Sequence, residues 1–566
     1  MQVPTPTFCP MCRAQRRFSF RNERNLYKRK SDLSGKDIFS TFSAQVPFPV
    51  YTQEEWFSDA WDPISYGREY DFSRPFFEQF KALSDVVPKP GKSAIGFVNS
   101  DYCNNASYIK NCYLVFNGRE DEDCAYSNVI ISSRNCFDNL NILKSELCYE
   151  NFRLGFCNRV FFSSGIQTST DIWFSKNLWD CSYCFGCVNL RGKKYHIFNE
   201  PFSQSEYEKK IIEFNLGSYQ ALKAISQESR EFWLRFPNKF REGIKNTNVR
   251  GEYIYNSKNV LDTYQAIGGE DLRYCQFVNY GPTKDTYDHS VFGYTTELSY
   301  ENAMVGDQAY NNKFNLQCYP NVKNLEYCEY CTSSSDLFGC VGLKKKQFCI
   351  LNKQYSKEEY ESLVLKIREH MSKMPYIDAN GRSYAYGEFF PSEFSPFSYN
   401  ETLAQEHFPF TKDQAIAEKK KWHDFEAREY KITSPAADLP DHINNVDQSI
   451  LNEIIGCAHG GSCNHGCTKA FRLIPQEAEF YKRFFIPLPR LCFSCRHGER
   501  SEMRNSLYLH ERRCQCSGEK DDLNIYRNTA THFHGVNRCP NEFETSYAPD
   551  RKEIVYCESC YQSEVM

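Results

Sequence analysis

The sequence predicts a mainly β protein with some α-helix, built as two tandem β-solenoid-like repeat modules flanked by zinc-ribbon-type terminal modules. Two internal duplications support this architecture. The N-terminal segment 3–31 returns without a gap at 486–514, and the middle segment 184–214 returns at 337–367. The 27 cysteines also fall into separate N-terminal, middle and C-terminal groups. Long internal repeats of this kind indicate copied structural units.

The first predicted element is a cysteine knuckle. Its CxxC pair, Cys9 and Cys12, lies in register with Cys492 and Cys495 of the C-terminal copy. Two prolines and four arginines are retained in the same register. A CxxC turn allows two thiolates to reach one metal ion, so both copies descend from a metal-binding module.

The N-terminal copy differs from the C-terminal one at the positions of further ligands. Ser31 stands where the C-terminal copy has Cys514, and Glu55 stands where it has Cys560. Zinc in structural sites requires four ligands. The partner pair of Cys9 and Cys12 would lie upstream of residue 1, so we expect a module that is truncated at its start, or that binds zinc only in trans, and no stable zinc in it.

The middle predicts stacked coils of short β-strands. Cys112, Cys124, Cys136 and Cys148 recur every 12 residues, and aromatic or β-branched runs alternate with Asn, Asp, Ser and Gly. A solenoid places one residue type at the same position of successive coils. Each module then ends in an amphipathic helix that opens with Ser followed three residues later by Glu, which is a capping box.

A CxxCxxC run in the first repeat permits two interpretations. Cys181, Cys184 and Cys187 have the spacing of a metal or cluster site, but only the last of them is cysteine in the second repeat. We favour buried ladder cysteines over a metal site that is present in one module only.

The chain is accordingly divided into six segments. These are a degenerate zinc-ribbon-like module (1–75), a first repeat module (90–215), a helical connector (216–245), a second repeat module (246–372), a linker with a charged helix (373–450) and a double zinc-ribbon domain (451–566).

The C-terminal cysteines predict two structural zinc ions per chain. The first ligand set is Cys457, Cys467, Cys492 and Cys495, and the second is Cys514, Cys539, Cys557 and Cys560. In each set a loop between the first two ligands adds one Cys and two His residues. These alternative ligands are Cys463 with His459 and His465, and Cys516 with His532 and His534. Four-thiolate zinc sites are structural because they lack an open coordination position.

Composition favours a reduced, cytoplasmic protein. The N-terminus lacks the apolar run of a secretory signal, and no segment has the length and apolarity of a membrane span. Reduced cysteines favour metal ligation or burial over disulfides, and a disulfide-rich exported protein is the alternative. With 68 basic and 72 acidic residues, net charge does not select a partner.

Arginines in the two knuckles predict contact with RNA or DNA. Basic residues interleaved with Phe18, Phe20 and Tyr27 could hold phosphates while the rings stack on bases. A solvated basic face, or ion pairs inside the ribbon, are the alternatives. The candidate residues are Arg13, Arg17, Arg21, Arg29, Arg496, Arg504 and Arg512.

Four strings of the chain carry a family resemblance. They are FRNERNLYKRKSDLSGKDI, EEWFSDAWDPISYGREYDFSRPFFEQF, FGCVNLRGKKYHIFN and IPLPRLCFSCR followed by FETSYAPDRKEIVYCESCY. With them the chain resembles, over nearly its whole length, a family of uncharacterised cysteine-rich zinc-ribbon proteins from reduced-genome, candidate-phyla bacteria. The resemblance implies zinc-ribbon termini around a repetitive middle, and in that family position 31 is commonly cysteine.

Three functions follow as hypotheses. The preferred one is a non-enzymatic zinc-binding scaffold that contacts nucleic acid or protein through its basic termini. The second is an enzyme that acts on glycans or a group-transfer substrate at the solenoid face, and the third is a protein-assembly module. Phosphate-binding loops and the nucleophile elbow of α/β-hydrolases are missing from the sequence.

Overall fold

The computed structural model describes residues 3–279, 281–424, 430–519 and 526–566. It is mainly β, and stacked coils form both repeat regions, which confirms the β-solenoid prediction. The chain divides into two compact units. The first comprises Met1–Ser93, Arg241–Phe425 and Ser506–Leu509, and the second comprises Ala94–Phe240, Glu426–Asn505 and His510–Met566. The N-terminal knuckle thus belongs with the second solenoid, and the C-terminal knuckles belong with the first.

The first solenoid lies in the second unit and is a parallel ladder that ends in one antiparallel pair. Neighbouring coils pair at an offset of 12 residues, as in Asn128 with Leu140 and Leu140 with Phe152. Its strands are Ala94–Ile95, Ala106–Ser107, Phe116–Arg119, Asn128–Ile131, Phe137–Leu143, Tyr149–Gly155, Asn158–Phe161, Ser164–Gln167, Thr170–Trp173, Ser182–Phe185, Lys194–Ile197 and Glu200–Pro201.

Each coil turns through residues in the left-handed region. Positive φ recurs at every third position over long stretches, for example at Tyr126, Val129, Ser132 and Asn135. Such residues cost free energy when they carry a Cβ, so inter-coil hydrogen bonds must hold them. The backbone of Tyr126, for instance, donates to the carbonyl of Tyr113 at 2.9 Å. The sequence signals this geometry only where Asn or Asp occupies the corner.

The interior of the first solenoid is filled by cysteine and aliphatic side chains. The thiol of Cys136 donates to the carbonyl oxygens of Arg134 and Ser145 at 3.2 and 3.4 Å, so it contacts backbone groups of its own coil and of the next one. Cys181, Cys184 and Cys187 are likewise buried and donate to backbone carbonyls. The ladder interpretation of this CxxCxxC run is confirmed.

A buried asparagine ladder links neighbouring coils. The Asn151 amide donates to the side-chain oxygen of Asn139 at 2.9 Å and to the carbonyl of Val160 at 2.8 Å. Its own oxygen accepts from the backbone of Ser163 at 2.9 Å. One side chain therefore satisfies polar groups on two adjacent coils.

The second solenoid lies in the first unit and repeats the design with less regular coils. Thr283, Thr296 and Ala309 pair in succession at an offset of 13 residues. Its strands are Gly243–Ile244, Thr247–Tyr255, Lys258–Ile267, Gly269–Arg273, Gln276–Val278, Thr283–Ser290, Thr296–Ala303, Ala309–Lys313, Val322–Glu326, Ser335–Phe338, Gln347–Ile350 and Lys353–Gln354.

Helices follow each solenoid, as the capping boxes predict. Ser203 and Ser356 cap the helices Gln204–Glu213 and Lys357–Lys373, each with the Glu three residues later bonded back to the cap. The remaining α-helices are Pro10–Phe18, Gln53–Phe57, Phe76–Ser84, Tyr219–Trp233, Leu403–His407, Lys412–Ala417, Pro475–Phe484, Phe493–Ser501 and Glu558–Val565.

Within the described residues, no helix has both the length and the apolar character that are needed to span a membrane.

The charged helix of the linker, which the string DQAIAEKKKWHDFEAREY predicts over residues 413–430, is shorter than expected. It ends at Ala417, because Lys419 adopts a φ of 51° and the chain turns back, where the Lys421 carbonyl accepts from Tyr399 at 2.7 Å. Residues 425–429 of that prediction lie outside the described residues.

Two-stranded sheets build the parts around the solenoids. Four are antiparallel: Tyr27–Lys30 with Asp37–Ser40, Tyr376–Ile377 with Ser383–Tyr384, Ile455–Gly456 with Ala470–Phe471, and His510–Arg513 with Glu542–Thr545. Two are parallel: Val50–Tyr51 with Lys89–Pro90, and Asn238–Lys239 with Val555–Tyr556.

Replacing Asn151 with Ala should destabilise the first solenoid. The change removes the partner of the Ser163 amide in the buried interior, at about 1–3 kcal/mol, and one of the bonds to the Val160 carbonyl, which still pairs in the ladder. Asn158→Ala is the matched control, because its amide makes only a 3.4 Å exposed contact with Glu146. Urea denaturation measures both variants, and equal midpoints would contradict the assigned role of the ladder.

Candidate metal centres

The first predicted ligand set converges at the start of the helix Phe493–Ser501. Cys492 is the N-cap residue and Cys495 lies in the first turn, so the CxxC turn directs both thiols to one side. The sulfur of Cys495 lies 3.5 Å from that of Cys492 and 3.8 Å from that of Cys457, and Cys467 lies 3.9 Å from Cys492. A tetrahedral zinc site with bonds of ~2.3 Å has sulfur–sulfur edges of roughly 3.8 Å. These four cysteines could hold a metal ion.

The second predicted set is built in the same way at the helix Glu558–Val565. Cys557 is the N-cap residue, and its sulfur lies 3.8 Å from that of Cys539. The backbone amide of Cys557 donates to the sulfur of Cys514 at 3.2 Å, and the Asn541 side chain donates to Cys557 at 3.3 Å. All four thiols of the set are buried, and N–H donors of this kind stabilise thiolate charge.

The alternative ligands do not compete for these positions. Cys463, His459 and His465 lie around Cys495, and the four ligand atoms are within 4.8 Å of one another. Cys516, His532 and His534 form the corresponding group around Cys560. Sequence spacing identified every one of these residues but treated them as substitutes for the predicted ligands.

The N-terminal knuckle has replaced ligands with hydrogen-bonding groups. The Ser31 hydroxyl donates to the carboxylate of Glu55, and the Thr52 amide donates to the same oxygen at 2.9 Å. Ser31, Thr52 and Glu55 correspond to Cys514, Cys557 and Cys560 of the C-terminal copy.

The Glu55 carboxylate of this hydrogen-bonded group favours its charged form. Burial opposes the charged form of Glu55, but the hydroxyls of Ser31 and Ser34 outweigh it and hold the pKa of Glu55 below its usual value. Among the described residues, Cys9 and Cys12 take part in no group of three or more potential metal ligands, and both are exposed.

Arginines of the N-terminal knuckle helix, Pro10–Phe18, are buried against the second solenoid. Arg13 forms an ion pair with Asp288 at 2.7 Å, and Arg16 forms one with Glu301 at 2.5 Å. Arg17 lies 3.4 Å from Asp288 and donates to Ser290 at 2.8 Å. Its residue exposure is only 1%.

The C-terminal knuckle helix, Phe493–Ser501, makes the same contact with the first solenoid. Arg496 and Arg500 pair with the two oxygens of Asp138 at 2.8 and 3.0 Å, and Arg500 also pairs with Glu150 at 2.9 Å. Asp138 is fully buried, and Arg496 also pairs with Glu477 at 3.1 Å.

The contact is a duplicated one, because both partners were copied. Arg13 and Arg17 correspond to Arg496 and Arg500 at the 483-residue offset of the knuckles. Glu301 corresponds to Glu150 in the motifs TELSYEN and SELCYEN, and Asp288 and Asp138 lie one coil earlier. The arginines of the knuckle helix and the carboxylates of the solenoid were therefore duplicated together.

The other arginines assigned to nucleic acid also contact groups of their own module. Arg21 pairs with Glu23 at 2.8 Å, and Arg29 donates to the Ser43 carbonyl at 2.7 Å. Arg504 donates to the Ser501 carbonyl at 3.3 Å, and Arg512 donates to Gln515 at 2.9 Å. The geometry gives Arg13, Arg17 and Arg496 a structural role, since buried ion pairs do not present a face to a phosphate backbone.

Burial makes the carboxylates of this contact costly to ionise. It raises the pKa of Glu150 to about 7, against the attraction of Arg500, and it raises the pKa of Glu301 against Arg16 and Arg17. For Arg16, burial lowers the pKa, but Glu301 and Glu388 outweigh it and bring the pKa above its ordinary value. The pairs are held together because neither charge can be left alone in this interior.

Neither protein-family models nor curated proteins match this chain. The inferences about its function therefore depend on the geometry above.

Replacing Arg500 with Met should lower the free energy of unfolding of the second unit. Loss of one partner leaves Asp138 and Glu150 underpaired, which typically costs 3–5 kcal/mol. Arg513→Met is the matched control, because that side chain is 83% exposed and its pair with Glu542 contributes about 0–1 kcal/mol. Chemical denaturation followed by circular dichroism compares the two, and similar losses of stability would refute the docking role.

Proposed function

We propose that the protein is a non-enzymatic scaffold of a reducing, cytoplasm-like compartment, in which zinc ions hold the C-terminal knuckles in shape against a solenoid platform. The observation that carries the proposal is the pair of four-thiolate groups, Cys457 with its three partners and Cys514 with its three partners. Four protein thiolates complete a tetrahedral zinc shell, so water and substrate have no coordination position. Such zinc stabilises a fold and does not activate water.

The arrangement of the solenoid carboxylates also favours a scaffold over an enzyme. Glycan chemistry would require a pair of carboxylates facing a cleft. Asp138 and Glu150 do converge from neighbouring coils, but both are engaged by Arg500. Asp288 and Glu301 are engaged by arginines of the N-terminal knuckle helix in the same way. These carboxylates serve to dock the knuckles.

Serine substitution at equivalent positions of the two knuckles tests the role of zinc. Cys492→Ser removes a ligand and should lower bound zinc, shift the melting temperature downward and open the C-terminal region to proteolysis, because binding of structural zinc is coupled to folding. Cys9→Ser, its counterpart in the N-terminal copy, should change none of these properties.

Zinc analysis, thermal melting and limited proteolysis of the full-length chain provide the readouts. Purified protein that lacks zinc, or a Cys492→Ser variant as stable as the parent, would refute the scaffold proposal in this form.

A second candidate function, nucleic-acid binding, is favoured by a basic depression on the second solenoid. Lys323, Lys345 and Lys346 line it together with Asn, Ser and Gln side chains, and its volume is about 500 Å³. Lysines among hydroxyl and amide groups could contact a phosphate backbone without reading the bases. This surface replaces the knuckle arginines as the candidate contact, and another protein remains the alternative partner.

Changing these three lysines together to glutamine should weaken binding of single-stranded RNA. Each lost phosphate contact lowers the slope of log affinity against log salt by about 0.7. Fluorescence anisotropy at 50 to 200 mM salt measures the affinity for RNA and its slope against salt. A variant in which Lys357, Lys366 and Lys373 are changed together to glutamine is the control of equal charge. Unchanged slopes, or affinity that does not respond to salt in the parent, would exclude this surface.

A further inference from the structure

We propose that each C-terminal thiolate group is one half of a dinuclear zinc site, in which a single cysteine, Cys495 or Cys560, bridges two ions. The chain then holds four zinc ions, two per site. This inference rests on the proposed structural role of zinc and extends it to ligands that the four-thiolate sites leave unused. In each site the second ion is bound by the bridging thiolate, one further cysteine and two histidines.

Distances around the bridging cysteines fit two shared tetrahedra. The sulfur of Cys463 lies 3.5 Å from that of Cys495, on which Cys457 and Cys492 also converge. At the other site the Nε2 atom of His534 lies 3.2 Å from the sulfur of Cys560. Zinc–sulfur and zinc–nitrogen bonds of about 2.3 and 2.0 Å give sulfur–sulfur edges of roughly 3.8 Å and sulfur–nitrogen edges of roughly 3.5 Å, each about 0.3 Å longer than these distances.

The histidines of the first site have nitrogen atoms that are free to bind a metal. The Nδ1 atoms of His459 and His465 are buried and without hydrogen-bond partners among the described residues. The opposite nitrogen of His465 lies 3.1 Å from Glu502, and that of His459 lies 4.0 Å from Glu499. A carboxylate on the far ring nitrogen is the usual companion of a zinc-bound histidine.

The histidines of the second site are also oriented by oxygen atoms that contact one nitrogen of each ring. The Nδ1 atom of His532 lies 3.6 Å from the sulfur of Cys516, while its Nε2 atom contacts Glu564 at 3.2 Å. The Nδ1 atom of His534 contacts the carbonyl of Asn537 at 2.7 Å, which leaves Nε2 for the metal. The two sites reach equivalent donor sets with different chain orders, since Cys463 lies between its histidines and Cys516 precedes both of its own.

A glycine in the C-terminal knuckle helix makes room for His465, a proposed ligand of the second ion of the first site. A Cβ atom on Gly498 would lie 2.4 Å from the imidazole of His465. Glycine inside a helix costs about 0.5–1 kcal/mol relative to alanine, so its presence requires a reason. The N-terminal helix, which lacks the extra ligands, has Gln15 at the equivalent position.

Charge balance also favours the dinuclear form. One zinc ion with four thiolates carries a net charge of −2 in a buried setting. A second zinc ion adds two positive charges, one further thiolate subtracts one, and the neutral histidines add none, so the dinuclear site carries −1. A lower net charge reduces the cost of burial.

Metal analysis and native mass spectrometry of the full-length protein test the proposal. We expect four zinc ions per chain in the parent and three in each of His465→Asn, His534→Asn and Gly498→Ala, the last despite the better helix propensity of alanine. His510→Asn, a histidine outside both sites, should retain four. Two zinc ions in the parent would overturn the dinuclear inference and leave the proposed function standing, whereas none would overturn both.

Cadmium substitution tests the bridge itself. In protein loaded with ¹¹³Cd, a shared thiolate should give two resonances per site that are split by coupling between the two metal nuclei. Resonances from four ions without that coupling would overturn the bridging role of Cys495 and Cys560. His465→Asn should remove the splitting at the first site and preserve it at the second, a result that general destabilisation would not produce.

Discussion

The buried pairing of arginines with solenoid carboxylates is the constraint on which each unit depends. Asp138 is fully buried with Arg496 and Arg500 around it, and Asp288 has the same relation to Arg13 and Arg17. Because an unpaired charge in such a place costs several kcal/mol, neither side of the pair can change alone. The pairing therefore sets where the knuckle helix lies along the coils, and it explains why arginines persist in both copies while metal ligands do not.

Hydrogen bonds in the N-terminal knuckle take the positions of potential metal ligands in the C-terminal one. At the C-terminus, Cys514 and Cys560 belong to one four-thiolate group. At the N-terminus, the corresponding Ser31 and Glu55 join through a hydroxyl–carboxylate hydrogen bond. A hydrogen bond contributes far less than a zinc ion, about 1 kcal/mol against ~10 or more. The N-terminal knuckle helix also forms a buried pair between Arg16 and Glu388 at 2.9 Å, whereas the C-terminal helix has Glu499 in place of Arg16.

Local periodicity predicted the coils and the capped helices, because each depends on residues a few positions apart, and the CxxC spacing together with the upstream cysteines predicted the two groups that could hold a metal. The role of the arginines could not be predicted in this way. Arg500 and Asp138 are separated by more than 350 residues, and a basic helix looks the same in sequence whether its partner is a phosphate or a buried carboxylate. The shared cysteines were missed for another reason. Counting four ligands per ion treats Cys463 and Cys516 as surplus, and only coordinates reveal that one sulfur serves two groups.

The distribution of buried charge bears on what the molecule is for. An active site keeps strained or underpaired polar groups accessible, since these lower the barrier for a substrate. Here the converging carboxylates are instead paired with arginines, and the thiolates are gathered into groups that a metal would close. Solenoid cysteines such as Cys136 donate their thiol hydrogens to backbone carbonyls. The buried ion pairs hold a knuckle helix on each solenoid, and the proposed contact with a partner falls instead to exposed surfaces such as the one lined by Lys323 and Lys345.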